Sequence, residues 1–135
     1  MHSLGGGLVV AEVQTPSDTT YRVSDWGRGR EIHVTEALAC IHLAPPAEAA
    51  GAGGDVLVRT PHFTVRKHSR PVGQAPLAGG ACSGWMVLAG GGRVECPGAA
   101  AELRAGDTVL IPAAIDRGRL IVEKEMTCLE VTLPE

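Results

Sequence analysis

Residues 11–28, AEVQTPSDTTYRVSDWGR, contain a dense run of side chains that can act on a polar ligand. Carboxylates can take up and release protons beside a reacting atom. A guanidinium offers fixed hydrogen-bond donors and a permanent positive charge. The residue types therefore favour chemistry on a polar ligand, and the candidates are Glu12, Gln14, Ser17, Asp18, Thr20 and Arg22.

These residues are expected to lie on a β-hairpin. Residues 7–14, GLVVAEVQ, have the pattern of a strand, and residues 15–17, TPS, have the composition of a turn. Residues 19–23, TTYRV, are β-branched and aromatic, which favours a returning strand. The hairpin would place Glu12 and Arg22 on the same face.

Composition bounds the class of protein. The chain has 135 residues, enough for one domain, and its 18 Gly and nine Pro favour short strands joined by turns. The net charge of −3 and the absence of a basic cluster argue against nucleic-acid binding. The apolar stretch at residues 8–11 is too short for a signal peptide or a membrane span. Because the four cysteines lie far apart, we expect reduced thiols in a cytoplasmic protein.

The rest of the chain predicts one helix and then a set of strands. HVTEALACIHL, residues 33–43, has a helical apolar stripe with Glu36 near its start, and residues 44–54 have the composition of a linker. GWMVLAGGGRVEC, residues 84–96, predicts two strands folded over a glycine turn at Gly90 to Gly92. Further short strands predict an antiparallel sandwich or barrel.

Residues 2–38, HSLGGGLVVAEVQTPSDTTYRVSDWGRGREIHVTEAL, resemble a segment of the type I, zinc-dependent mannose-6-phosphate isomerases. In those enzymes a zinc-ligand histidine precedes a GxxxxE(I/V)Q strand, which is followed by SD-TTYR, DW-R, RE-H and a short helix. All of these pieces stand here in the same order, and the segment closes the family's catalytic cupin. The resemblance runs to about Ile41 and continues more weakly through PHFTV and LRAGDTVLIPA.

The resemblance implies an all-β chain with a cupin-like jelly roll. Residues 1–24 would be the last strands of a catalytic cupin, residues 25–54 a connector with a short helix, and residues 55–135 a C-terminal jelly roll.

The resemblance also implies an activity and a set of site residues. The reaction would be the aldose–ketose interconversion of mannose 6-phosphate and fructose 6-phosphate, with Zn²⁺ polarising the carbonyl. His2 would be a zinc ligand and Arg22 the active-site arginine, placed where negative charge develops. Glu12 and Asp18 fall where the family has pocket carboxylates that could relay protons or orient the sugar.

The other zinc ligands of the family, a Gln-x-His pair and a Glu, come from a region upstream of the histidine that matches His2. A catalytic zinc normally takes three protein ligands. His62 and His68 cannot replace the missing ligands, because about 20 Å of extended strand would separate them. No histidine follows the GDTVLIP stretch as a metal-binding cupin would require. We therefore expect no stoichiometric zinc and no isomerase activity from this chain alone.

Three hypotheses stay open. The chain is an isomerase that has lost its N-terminal half to truncation or to a misplaced start codon; or it completes its site with a separately encoded N-terminal portion; or it is a non-catalytic cupin module that binds sugars or a partner chain. An in-frame Gln-x-His and a later Glu in the DNA upstream of Met1 would establish the first.

Overall fold

The computed structural model describes residues 3–44, 54–77 and 79–134. The chain divides into two compact units, residues 1–47 and residues 48–135. The predicted domain boundaries after residues 24 and 54 stay predictions. Within the described residues, no helix has the length and apolar character needed to cross a membrane.

The N-terminal unit contains the predicted helix, α1 (Val34–Cys40). Glu36 lies in its first turn, where a carboxylate interacts favourably with the helix dipole. Ala37 is the buried residue of the helix. The helix ends at Cys40, and the next residue, Ile41, has extended backbone angles. The helix predicted within residues 33–43 is confirmed.

The hairpin predicted within residues 7–24 does not form: none of these residues lies in a strand. Leu8, Val9 and Val10 are exposed instead, Val9 by 96%. A two-stranded hairpin is only marginally stable in water unless another strand or a helix packs against it. The local β-propensity of residues 7–14 and 19–23 is therefore not sufficient to produce strands here.

The C-terminal unit consists of antiparallel strands in one sheet. In chain order the strands are β1 (Val56–Arg59), β2 (Thr64–Arg70), β3 (Gly73–Pro76), β4 (Ser83–Cys96), β5 (Ala99–Arg104), β6 (Thr108–Ile111) and β7 (Arg119–Thr132). The spatial order is β1-β2-β7-β4-β5, with β3 beside β7 and β6 beside β4. The predicted set of short antiparallel strands is confirmed in this unit.

The two long strands, β4 and β7, belong to both halves of the sheet. The first part of β4 pairs with β6 and the second part with β5, while β7 pairs with β3 near its start and with β2 near its end. The β4–β7 register shifts between Val87 and Gly92. The predicted turn at Gly90 to Gly92 is therefore wrong: the chain continues as one strand through a β-bulge, which bends the strand without reversing it.

The core of the C-terminal unit is aliphatic and lies between these halves. Leu103 and Leu120 are each 1% exposed, and Met126 and Cys128 are fully buried. Trp85 is also buried, and its indole N–H donates a hydrogen bond to Ser83 Oγ at 3.1 Å. The buried tryptophan thus has the polar partner that its N–H requires.

Candidate functional site

Arg22 is held in place by the chain segment that follows it. Its Nη1 donates a hydrogen bond to the carbonyl oxygen of Glu31 at 3.0 Å. The backbone amide of His33 donates to the carbonyl oxygen of Arg22 at 2.7 Å. The side chain is half-buried. The first contact restrains the guanidinium, and the second holds the backbone of Arg22 in place.

A tight turn at residues 25–28 lies between Arg22 and the segment that contains its partners, Glu31 and His33. The amide of Arg28 donates to the carbonyl oxygen of Asp25 at 3.2 Å. The central residues, Trp26 and Gly27, have φ values of 53° and 73°, the positive values found in type I′ turns. Glycine adopts this conformation freely, whereas a bulky residue such as Trp26 rarely does. The turn leaves the Trp26 side chain 74% exposed.

An ion pair closes this turn. Asp25 is 6% exposed; its Oδ1 accepts from Arg30 Nε at 2.7 Å and its Oδ2 accepts from the Arg30 amide at 2.9 Å. Burial by itself would raise the pKa of Asp25. The amide and guanidinium of Arg30 more than offset this effect and hold the pKa of Asp25 below its ordinary value. Asp25 is therefore ionised at neutral pH, and its carboxylate holds the loop closed.

An open hollow of about 1630 Å³ lies within residues 3–42 of the N-terminal unit. Tyr21, Arg22, Trp26, Arg28 and Arg30 all line it. We call it the arginine hollow. Its three guanidinium-bearing residues favour an anion, and the exposed indole provides an apolar face beside them. Its volume exceeds the 300–1,000 Å³ or so that is typical of an enclosed small-molecule pocket, so the hollow is a broad, open surface.

Of the described candidates from the polar run at residues 11–28, Thr20 and Arg22 line this hollow. His2 lies outside the described residues. Glu12 is exposed and lines a separate hollow of about 310 Å³ together with Val10, Ala11 and Val13. Asp18 is exposed and does not line the arginine hollow. The catalytic roles of Glu12 and Asp18 stay predictions.

The described residues do not fit a zinc site. Within residues 3–44, 54–77 and 79–134, no three His, Cys, Asp or Glu side chains are grouped so that they could hold a metal ion. A catalytic zinc needs about three protein ligands converging on one point. These residues alone therefore support no reaction step through a bound metal.

The sequence interpretation gave Trp26 no role, took Arg28 and Arg30 as solvated surface charge, and missed the ion pair between Asp25 and Arg30. Trp26, Arg28 and Arg30 lie together in the stretch DWGRGR. The signal was available: two glycines beside an aspartate predict a tight turn, and Asp25 and Arg30 flank it with opposite charges.

The amino-acid sequence of the chain is similar to those of two curated proteins. A mannose-6-phosphate isomerase from Streptococcus mutans is 33% identical over 128 residues, covering 85% of this chain and 40% of its own length. The Bacillus subtilis protein named "Probable mannose-6-phosphate isomerase GmuF" is 32% identical over 133 residues, covering 84% of this chain and 40% of its own length. The chain is a relative of the mannose-6-phosphate isomerases. The resemblance inferred from residues 2–41 is thereby confirmed.

The chain spans about 40% of the length of these curated relatives. No family model matches it. The match extends well beyond residues 2–41, because it includes most of the C-terminal unit.

Solved structures show the fold. A cupin-2 domain protein from Shewanella frigidimarina matches with a TM-score of 0.53 at 10% identity, over 76% of this chain and 94% of that one. An RmlC-like cupin from the same species matches with a TM-score of 0.51 at 20% identity, over 62% and 80% of the two chains. The predicted all-β, cupin-like jelly roll is confirmed, and the chain corresponds to a C-terminal cupin portion of its isomerase relatives.

Proposed function

We propose that the chain provides one wall of the active site of a zinc-dependent mannose-6-phosphate isomerase. The observation that carries the proposal is the position of Arg22. Its guanidinium is tethered to Glu31 and lines an open hollow together with Arg28 and Arg30. The substrate is a sugar phosphate, and the reaction converts mannose 6-phosphate to fructose 6-phosphate and back.

Arg22 acts on the charge that develops during the reaction. Moving a proton between C1 and C2 of the sugar passes through an enediolate, whose oxygen is negatively charged. A guanidinium already held in place stabilises this charge without rearranging at the moment of reaction. Glu12 and Asp18 do not line the arginine hollow, so relaying the proton or orienting a sugar hydroxyl would require one of them to move to within about 3 Å of the sugar.

Arg28 suits the phosphate group of the substrate. Arg30 is engaged by Asp25, whereas the Arg28 guanidinium has no ion pair or hydrogen bond among the residues that the structure describes. Arginine binds phosphate through two parallel N–H donors. The exposed indole of Trp26, at the other side of the turn, can cover the apolar face of a sugar ring.

Zinc and its remaining ligands complete the proposed site. Zinc would supply Lewis-acid chemistry at the sugar carbonyl. His2 is its one ligand from this chain, and an N-terminal portion supplies the Gln-x-His pair and the Glu found in the family. We place the enzyme in the cytoplasm, where thiols stay reduced; the four cysteines are free.

A chimera tests the proposal. The part of the Streptococcus mutans relative that this chain does not span is fused to this chain, and conversion of fructose 6-phosphate to mannose 6-phosphate is measured. We expect no activity from the chain alone, and activity from the chimera that a chelator removes and Zn²⁺ restores. A folded chimera without activity, tested beside an active intact relative, would contradict the proposal and favour a non-catalytic cupin module.

The DNA upstream of Met1 provides an independent test. An in-frame Gln-x-His and a later Glu would identify the chain as part of a longer isomerase. A neighbouring gene that encodes those residues would identify two complementing chains. Their absence from both places would contradict the proposal.

A further inference from the structure

Strand β2 carries three basic side chains on one face. Arg66, His68 and Arg70 occupy alternate positions, so they point to the same side of the sheet. Each faces a residue of β7 in the antiparallel register, and the pairs are Arg66 with Glu130, His68 with Cys128, and Arg70 with Met126. A basic row thus lies on β2, beside one carboxylate and two core side chains of β7.

This face is the core side of the sheet. Cys128 and Met126 are fully buried, and Trp85, which pairs with Glu130 from β4, is 5% exposed. The side chains of His68 and Glu130 are only 17% and 20% exposed. The charged groups therefore lie at the border of the core, where electrostatic interactions are less screened than on an open surface.

His68 engages the two nearby carboxylates. Its Nε2 lies 2.7 Å from Glu130 Oε2, within hydrogen-bond distance. Its Nδ1 lies 3.8 Å from Asp55 Oδ2. The imidazole thus stands between two acids, and neither carboxylate forms an ion pair with an arginine in the described part of the chain.

Both arginines on this face lack a counter-ion in the described part of the chain. Neither Arg66 nor Arg70 forms a side-chain hydrogen bond or ion pair among residues 3–44, 54–77 and 79–134. Arg70 Nε is buried and has no hydrogen-bond partner. A buried donor without a partner costs roughly 1–3 kcal/mol and is uncommon in folded proteins. A ligand oxygen would satisfy it.

We propose that this face binds a small oxyanion, through a phosphate or a carboxylate group, at a site formed by Arg66, His68 and Arg70. Guanidinium groups bind both kinds of group by paired N–H donors. The Cα atoms of Arg66 and Arg70 lie about 13 Å apart at the rise of an extended strand. Both long side chains can therefore converge above His68. The site lies within the C-terminal unit and is independent of the arginine hollow.

Titration of the full chain with simple anions tests the site. Amide chemical shifts are followed by NMR while inorganic phosphate or malonate is added at constant ionic strength. We expect saturable shifts at residues 66–70 and 126–130 for at least one anion. Saturation by phosphate alone identifies a phosphate site, saturation by malonate alone a carboxylate site, and saturation by both a general oxyanion site. Linear shifts spread over the surface, or none, would overturn the proposal.

Matched variants locate the binding. Arg70→Gln removes the buried donor together with the charge, and should raise the dissociation constant roughly tenfold or more. Arg70→Lys keeps the charge but not the paired donors, and should give an intermediate loss. Arg117→Gln changes an arginine that is 82% exposed in the loop before β7, and should leave binding unchanged.

Arg66→Gln tests the same site if the Arg70 variants do not fold. It should weaken anion binding several-fold. Equal binding by a folded Arg70→Gln variant and the parent chain would overturn the proposal. None of these measurements involves isomerase activity, so the proposed function and this site can fail separately.

Discussion

Arg30 binds both carboxylate oxygens of Asp25, through its guanidinium at 2.7 Å and its backbone amide at 2.9 Å. The two contacts close the loop that carries Trp26 and Arg28. The loop connects Arg22 to His33, whose amide donates to the carbonyl oxygen of Arg22, so the ion pair also supports the position of Arg22. Asp25 is thus a positioning residue for the arginine hollow.

Asp25→Asn should loosen this loop. The amide side chain is neutral, so it loses the charge-assisted hydrogen bond to Arg30 Nε. We expect exchange of the Arg30 amide hydrogen to become roughly tenfold faster, measured by NMR at pH 7. Asp18→Asn is the control, because Asp18 is exposed and its carboxylate forms no hydrogen bond with Arg30. Equal exchange rates in both variants would contradict this role.

The contribution of Asp25 should depend on pH in one direction. Its folded-state pKa is lowered, so its carboxylate stabilises the loop above the unfolded pKa of about 4. This contribution is lost as the pH falls through the lower, folded-state value. The parent chain and Asp25→Asn should therefore differ in Arg30 amide protection near pH 7 and converge once the pH falls below the folded-state pKa of Asp25. A difference that grows on acidification would contradict the assignment.

Arg22→Gln should lower the activity of the zinc-loaded chimera. Under the proposed function, the substitution removes the charge that stabilises the enediolate, so kcat should fall by roughly 10²-fold or more, with a smaller change in KM. Arg22→Lys restores the charge without the fixed donors, and should recover part of kcat. Arg117→Gln serves as the unaffected control. If Arg22→Gln had the same kcat as the Arg117→Gln control, a role of Arg22 at the transition state would be excluded.

The strands of the C-terminal unit are predictable because their signals are local. Alternation in MTCLEVTL places Met126 and Cys128 on one face, and both are fully buried. The glycine run at Gly90 to Gly92 is compatible with a hairpin turn and with a β-bulge, so the sequence pattern does not distinguish the two structures. The pairing of β4 with β7 on both sides of the glycine run shows that the structure is a bulge. The strands expected within residues 7–24 do not form because a strand depends on partners that its own sequence does not contain.

The site is only partly predictable for a similar reason. A motif identifies Arg22, but Arg28 and Arg30 have the pattern of surface charge until the turn places them beside it. The basic face of β2 is visible as an alternating pattern. Its relation to Glu130 is not, because 62 residues of sequence separate His68 from its partner.

Gly92→Ala should destabilise the C-terminal unit. Gly92 is buried, and a Cβ at this position would overlap the carbonyl oxygen of Ile121 on β7, a backbone atom that cannot move without breaking the pairing. We expect a loss of about 1–3 kcal/mol or more in the free energy of unfolding, measured in urea. Gly84→Ala lies in the same strand and would meet no atom within 4 Å. It should change stability little, and equal losses in both variants would contradict the close approach at the bulge.

Cys128 should resist thiol reagents in the folded protein. Burial raises the pKa of its thiol, Arg70 lowers it and Glu130 raises it, and the net effect is an increase. The thiol is therefore neutral at pH 8 as well as inaccessible, whereas Cys40 is exposed. Labelling with a maleimide, mapped by mass spectrometry, should modify Cys128 roughly 10³-fold more slowly than Cys40, and the difference should disappear in urea. Rapid labelling of Cys128 without urea would mean that β7 opens readily, and the packing of the core face would then have to be revised.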